Sequence, residues 1–143
     1  MWDVVDPFLV KSVAYGNAFN NKVFFVGGQY STTWEGVAVV RDDHTKMNFV
    51  AQIQNNFHLK LMTVTSYSVC PPINCDWGRR LYILSRSTSS ANLFKLTFFE
   101  IPGGARGDFN DKRHIEFTLG PAGSTGRALD IRPKNTETVW IMI

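Results

Sequence analysis

Four consecutive apolar residues of strand-forming type occur three times along the chain, as Val23-Phe24-Phe25-Val26, Leu81-Tyr82-Ile83-Leu84 and Val139-Trp140-Ile141-Met142. They begin at positions 23, 81 and 139, so each follows the last by 58 residues. Runs this short, rich in branched and aromatic side chains, read as buried strands rather than helix faces. A fixed period of this size points to one supersecondary unit used repeatedly.

The flanking residues extend the correspondence. A second strand precedes each tetrad, at residues 10–15, 61–65 and 127–131. Val13 stands ten positions before Val23, and Leu129 ten before Val139. Val64 stands seventeen before Leu81, and the surplus is the segment Cys70-Pro71-Pro72-Ile73-Asn74-Cys75. Turn formers fill all three gaps. Downstream, residues 36–40 match 92–96, and 48–53 match 114–119 after a long Gly-rich loop at 102–113. Residues 51–61 are the best helix candidate. Asn55-Asn56 and the alternation of Phe57-His58-Leu59-Lys60-Leu61 instead favour strand, turn, strand.

The expectation is a single all-β domain over residues 1–143, with units at about 10–56, 60–120 and 126–143. Its antiparallel, four-stranded repeats are propeller-like, two and a half in number. The alternative is a β-sandwich whose strands resemble one another only through composition. Two and a half blades leave faces open, and the last strand runs to the final residue without a polar tail. An apolar edge of that kind is an aggregation hazard unless it is covered. The expectation is a truncated chain, or a partner chain or self-association that covers the open strands.

Composition narrows the function classes. Apolar residues at 44% and charged residues at 19% describe a globular chain with a core. The net charge of +3 is dispersed, so no nucleic-acid partner is expected. No run approaches the roughly 18 apolar residues of a membrane-spanning helix, and the N-terminus lacks the basic and apolar regions of a signal peptide. Cys70 and Cys75 fit a local disulfide in an oxidising compartment and two thiols in a reducing one equally well.

Residues 37–49 carry a family resemblance. Val37-Ala38-Val39-Val40-Arg41-Asp42-Asp43-His44-Thr45-Lys46-Met47-Asn48-Phe49 resembles the repeat of Asp-box propellers, the group of sialidases and sortilin-like receptors. That repeat runs strand, Ser-x-Asp-x-Gly-x-Thr-Trp across a hairpin, then strand. Here an Asp, a Thr and an aromatic keep roughly those roles. The Gly is missing and Phe49 replaces the Trp. The resemblance implies propeller blades and, by itself, no activity. Its sialidase members grip a substrate carboxylate with three arginines, for which Arg79, Arg80, Arg86 and Arg132 are available without any being assigned, and no Tyr–Glu pair stands beside them.

No catalytic, metal or cofactor site is expected. His44, His58 and His114 are scattered, and the cysteines lack zinc spacing. The run Ser85-Arg86-Ser87-Thr88-Ser89-Ser90 reads as a loop without a nucleophile elbow. The turn carboxylates Asp42, Asp43, Asp76, Asp108, Asp111 and Asp130 would be the acids of a glycosidase-like alternative. The tripeptide Arg106-Gly107-Asp108 resembles the integrin-recognition motif, while a solvated connecting loop accounts for the same residues. Trp34 and Trp77 are placed in loops, where a ring either stacks on a sugar or partner or folds back over a sheet end. The expected function is a non-catalytic binding or scaffolding module for a protein or glycan. Its binding residues are Trp34, Trp77, Arg79, Arg80, Arg106, Gly107 and Asp108, the arginines orienting an acidic group. A structural subunit of a larger assembly is the third possibility.

Overall fold

The computed structural model describes residues 6–18, 21–41, 46–54, 56–69, 76–101, 110–121, 123–125, 127–135 and 138–142. All regular structure among them is strand. In chain order the strands are β1 (Leu9–Ala18), β2 (Asn21–Gln29), β3 (Glu35–Arg41), β4 (Lys46–Gln52), β5 (Phe57–Val69), β6 (Asp76–Ser87), β7 (Leu93–Glu100), β8 (Asn110–Thr118), β9 (Asp130–Asn135) and β10 (Thr138–Met142).

Every pairing is antiparallel, and each strand pairs with its chain neighbour. The first sheet is β1-β2-β3-β4, the second β5-β6-β7-β8, and the third the hairpin β9-β10. The all-β, antiparallel, four-stranded expectation therefore holds. The turn expected after residue 53 is present, with the Phe57 N–H donating to the Gln54 carbonyl at 2.9 Å.

The second sheet lies between the other two. On one side Val23, Phe25, Val37 and Val39 of the first sheet meet Phe57, Leu59, Met62, Leu81 and Ile83. On the other, Tyr82, Leu84 and Phe94 meet Ile131, with Val139 and Ile141 packed against them. Strand alternation makes both faces of β6 apolar, which is why Leu81-Tyr82-Ile83-Leu84 carries no polar residue. Each such side chain, fully buried, contributes roughly 1.5–3 kcal/mol.

The opening strands of the three sheets are neighbours: β1 runs beside β5, and β5 beside β9. The Met62 N–H donates to Ser12 Oγ at 2.9 Å and ties β5 to β1. Register shifts mark both strands, between Val10 and Ser12 in β1 and between Leu59 and Leu61 in β5. The shift in β5 changes which residues face the first sheet. Phe57 and Leu59 do so before it, and Met62 after it, while Leu61 turns to the third sheet.

The three tetrads lie in β2, β6 and β10, the second strand of each sheet. Their equal spacing does not make them equivalent in facing. Val23 and Phe25 look toward the second sheet, and Leu81 and Ile83 look back at them. The residues of β6 that look forward, as Val23 does, are Tyr82 and Leu84. Side chains alternate with period two, so an even offset of 58 paired with an odd geometric one inverts every residue of the strand.

Several loops expected from composition are strand. The hairpin β5–β6 reaches Val69 and Asp76, so Asp76-Trp77-Gly78 pairs with Tyr67, Ser68 and Val69. Ser85 and Ser87 lie in β6, and β8 already begins at Asn110. In each case an adjacent backbone supplies ladder hydrogen bonds that outweigh local turn preference.

Candidate binding cleft

Four connections gather at one end of the stack: the β2–β3 turn, the β4–β5 turn, the β6–β7 turn and the β8–β9 connection. Between the first two opens a cleft of about 340 Å³, lined by Gln29, Thr32, Thr33, Trp34, Glu35, Ile53, Gln54, Phe57 and His58. It is a mixed surface, in which two aromatic rings and one isoleucine stand beside hydroxyls, amides, an imidazole and a carboxylate.

The turn that carries Trp34 is closed by backbone bonds from the Tyr30 and Ser31 N–H groups to the Trp34 carbonyl, at 3.0 and 3.2 Å. The Trp34 ring folds back on the outer face of the first sheet. It meets Phe49 at 4.5 Å and Tyr30 at 5.7 Å between ring centroids, both edge-on. Gly36 makes room, since a Cβ there would collide with the Trp34 ring and the Ala51 carbonyl. Tyr30 donates its hydroxyl to the Val26 carbonyl at 2.7 Å, and burial pushes its pKa up to about 12. Of the two roles expected for a loop Trp, Trp34 takes the folded-back one while still lining the cleft.

Glu35 forms the base of the cleft wall and joins three strands. Its Oε1 pairs with Lys11 of β1, and its Oε2 sits 3.2 Å from His58 Nδ1 and accepts the Leu59 N–H at 3.2 Å. The carboxylate thus bridges the first and second sheets beside the cleft. Arg86 stands opposite His58 in the β5–β6 register. Burial, with Arg86 and Lys11 nearby, lowers the pKa of Lys60, and Glu35 opposes the shift.

Deeper in the same layer, toward β4 and β7, lies a smaller cavity of about 70 Å³. It is lined by Ala51, Gln52, Ile53, Gln54, Phe57, Ile83, Ser85, Lys95, Thr97 and Phe99. Ile53, Gln54 and Phe57 form the wall shared by the two spaces.

Among the described residues, the expected binding residues Trp34, Arg79 and Arg80 lie on different elements or faces. Arg79 and Arg80 are consecutive on β6, so alternation sends them to opposite faces and they cannot grip one acidic group together. Arg80 is engaged by Glu100 at 2.8 Å and lies over the Phe98 ring at 4.6 Å. Trp77 is a strand residue of β6, not a loop residue, and its side chain lies outside the described part. Arg106, Gly107, Asp108, Cys70 and Cys75 fall outside the described residues, as do Asp42, Asp43 and His44 of the Asp-box-like turn. Arg132 pairs with Asp130 on the third sheet, remote from the other arginines in sequence and layer.

The serine run has structural partners. Ser85 donates to the Lys95 carbonyl at 3.3 Å, and Ser87 Oγ accepts the Ser89 and Ser90 N–H groups at 3.2 Å each, closing the β6–β7 turn. Among the described residues no group of three or more His, Cys, Asp or Glu is placed to hold a metal ion. Among the described residues no helix is long and apolar enough to cross a membrane.

Sequence reasoning missed Glu35, Gln54 and Lys95. Glu35 stood in the segment read as a Trp-bearing loop, and nothing local revealed that Lys11 and His58 would reach it from other strands.

Compared with protein-family models, with curated proteins and with solved structures, the chain matches none.

Proposed function

We propose that the chain is a non-catalytic binding module of propeller-like blades that takes a glycan in the cleft beside Trp34 and His58. One observation carries this reading: a cleft of about 340 Å³ combining aromatic rings with Gln29, Thr32, Thr33, Gln54 and His58. That volume falls at the lower end of ligand sites. Sugars present apolar ring faces and a fringe of hydroxyls, and this lining answers both. The blade arrangement is supported by two meandering four-stranded sheets and by the neighbouring first strands β1, β5 and β9.

The glycosidase alternative needs two carboxyl groups about 5–10 Å apart across a sugar. The cleft lining holds one carboxylate, Glu35, and it is engaged by Lys11, His58 and the Leu59 N–H. A glycan array probed with the whole chain, followed by calorimetry on the best hit, tests the reading. Saturable binding that weakens in Gln54→Ala and His58→Ala supports it. Absence of binding to every glycan, or turnover of aryl glycosides, overturns it.

A second reading, a subunit of an assembly, is favoured by the two ends of the stack. Trp140 and Met142, each 60% exposed, project from the outer face of the third sheet, and Leu129 lies beside them. Val13, Tyr15 and Phe24 project from the outer face of the first. The inner layers pack the forward face of one sheet on the rear face of the next. The two free faces are one of each kind, so a second copy stacked in the same sense repeats the internal packing. Mass in solution that rises with concentration, and falls to the monomer in Trp140→Glu, supports this reading. A monomer at all concentrations opposes it.

A further inference from the structure

The smaller cavity holds a feature that the binding cleft does not use. Lys95 retains only 9% of its exposure, although it carries an ammonium group. Its Nζ donates to Gln54 Oε1 at 2.9 Å and sits 5.5 Å from the centroid of the Phe57 ring. Among the described residues no carboxylate pairs with it. An ammonium has three donors, and one amide oxygen takes only one of them. A ring face attracts the charge without neutralising it. Burying a cation without a counter-charge is costly, and proteins ordinarily pair such groups or give them a ligand.

The space beside Lys95 is suited to such a ligand. The cavity of about 70 Å³ exceeds what a single water needs. Gln52, Gln54, Ser85 and Thr97 are its polar lining; the Ser85 hydroxyl is donated to the Lys95 carbonyl, while the Gln54 amide and the Thr97 hydroxyl can donate to an oxygen. The centre of the layer between the first and second sheets is hydrocarbon, and its other polar contacts are paired, Glu35 with Lys11 and His58 and Ser12 with the Met62 N–H. Polar groups cluster where the buried ammonium is.

We propose that this cavity is a compact oxyanion site, in which Lys95 supplies the counter-charge and Gln54 and Thr97 complete the donors. Carboxylate, sulfate and phosphate groups share the required chemistry. The group arrives either as a free inorganic ion or attached to a larger ligand. Gln54 and Phe57 separate this cavity from the larger cleft, so a sugar in the cleft can extend an acidic substituent to Lys95. That extension rests on the cleft being a sugar site, whereas the oxyanion site itself does not.

The test is a titration of the whole chain with sodium sulfate, at constant ionic strength balanced with sodium chloride. The signals followed are the side-chain amide resonances of Gln52 and Gln54 and the backbone amide of Thr97. Saturable shifts are expected, with sulfate binding about tenfold weaker or more in Lys95→Met, the loss of one charge-assisted hydrogen bond. Shifts that are linear and equal in the two proteins report general salt exclusion and overturn the proposal. If Lys95→Met does not fold, the unaltered chain decides: saturation at these three residues supports the site, and no saturation removes it. A second arm compares glucose 6-sulfate with glucose. Competition of the sulfated sugar with free sulfate places the anion on a sugar. Sulfate binding without competition leaves the site standing and removes only the extension.

Discussion

Val23 and Leu81 enter one buried layer from different sheets, although each opens an apolar tetrad and they stand 58 positions apart. Both are fully buried there. Because they belong to one packed cluster, a void left by either one is shared with neighbours that the other also packs among. The two substitutions Val23→Ala and Leu81→Ala are therefore coupled, and their costs in a double-mutant cycle are expected to be non-additive by about 0.5 kcal/mol or more. Urea denaturation of the four proteins measures this.

Gly27 and Gly28 are adjacent on β2 but differ in what a side chain would meet. A Cβ on Gly27 comes within 3 Å of only the mobile ends of Leu59 and Met62, whereas one on Gly28 falls on the backbone of Leu9 and Val10. Side-chain ends can move, but a paired backbone at a register shift cannot without breaking its ladder. Gly28→Ala is expected to cost about 1–3 kcal/mol and Gly27→Ala distinctly less. Denaturant midpoints order the two.

Tyr30 makes stability fall in alkali. Burial raises its folded-state pKa to about 12 from an ordinary 10.0, while the unfolded chain keeps the ordinary value. Below pH 10 the phenol is neutral in both states and the full contribution is present. Between pH 10 and 12 the unfolded state loses its proton first, so stability declines as pH rises through that window. Thermal melts at pH 9, 10 and 11 are expected to show a steeper decline in the unaltered chain than in Tyr30→Phe. At neutral pH the same variant loses the bond to the Val26 carbonyl, about 0.5–1.5 kcal/mol.

Glu35 is the electrostatic tie between the first two sheets. Glu35→Gln leaves Lys11 largely buried without its counter-charge, and a loss of about 1–3 kcal/mol is expected. Removing both charges, in Glu35→Gln with Lys11→Met, is expected to recover much of that loss, because the unpaired cation is the costly species. Equal instability of the single and double variants would mean that the pair is not what joins the sheets.

The cleft predicts a separation of binding from folding. His58 is more than half exposed, so His58→Ala is expected to weaken glycan binding while shifting the melting temperature little. Trp34→Ala strips the cover from Phe49, Tyr30 and Gly36 and is expected to lower stability by about 2–4 kcal/mol. A glycan titration paired with a melt for each variant distinguishes the two roles.

Much of the strand order was legible because it is local. Apolar tetrads, alternation at Phe57-His58-Leu59-Lys60-Leu61 and turn formers at Asn55-Asn56 depend only on near neighbours in the chain. The extent of β5 and β6 was not legible, because Trp77 belongs to a strand only through its pairing with Ser68. The candidate sites were less visible still. Of the expected binding residues, Trp34 is the one among the described residues that lines the cleft, and its partners come from β2, β3, β5 and the turns between strands. Lys95 looked like an ordinary polar position of an alternating strand until β4 and the turn after it covered it.

By itself the sequence determined that this protein is made of short antiparallel strands, four to a sheet in its first two sheets. Those properties follow from side-chain shape and from alternation along each strand. Only the tertiary structure decided which way each strand faces, because a single residue of register exchanges its two sides. It therefore decided that Val23 and Leu81 share one buried layer, that Arg79 and Arg80 part company, and that Lys95 is buried beside a polar cavity.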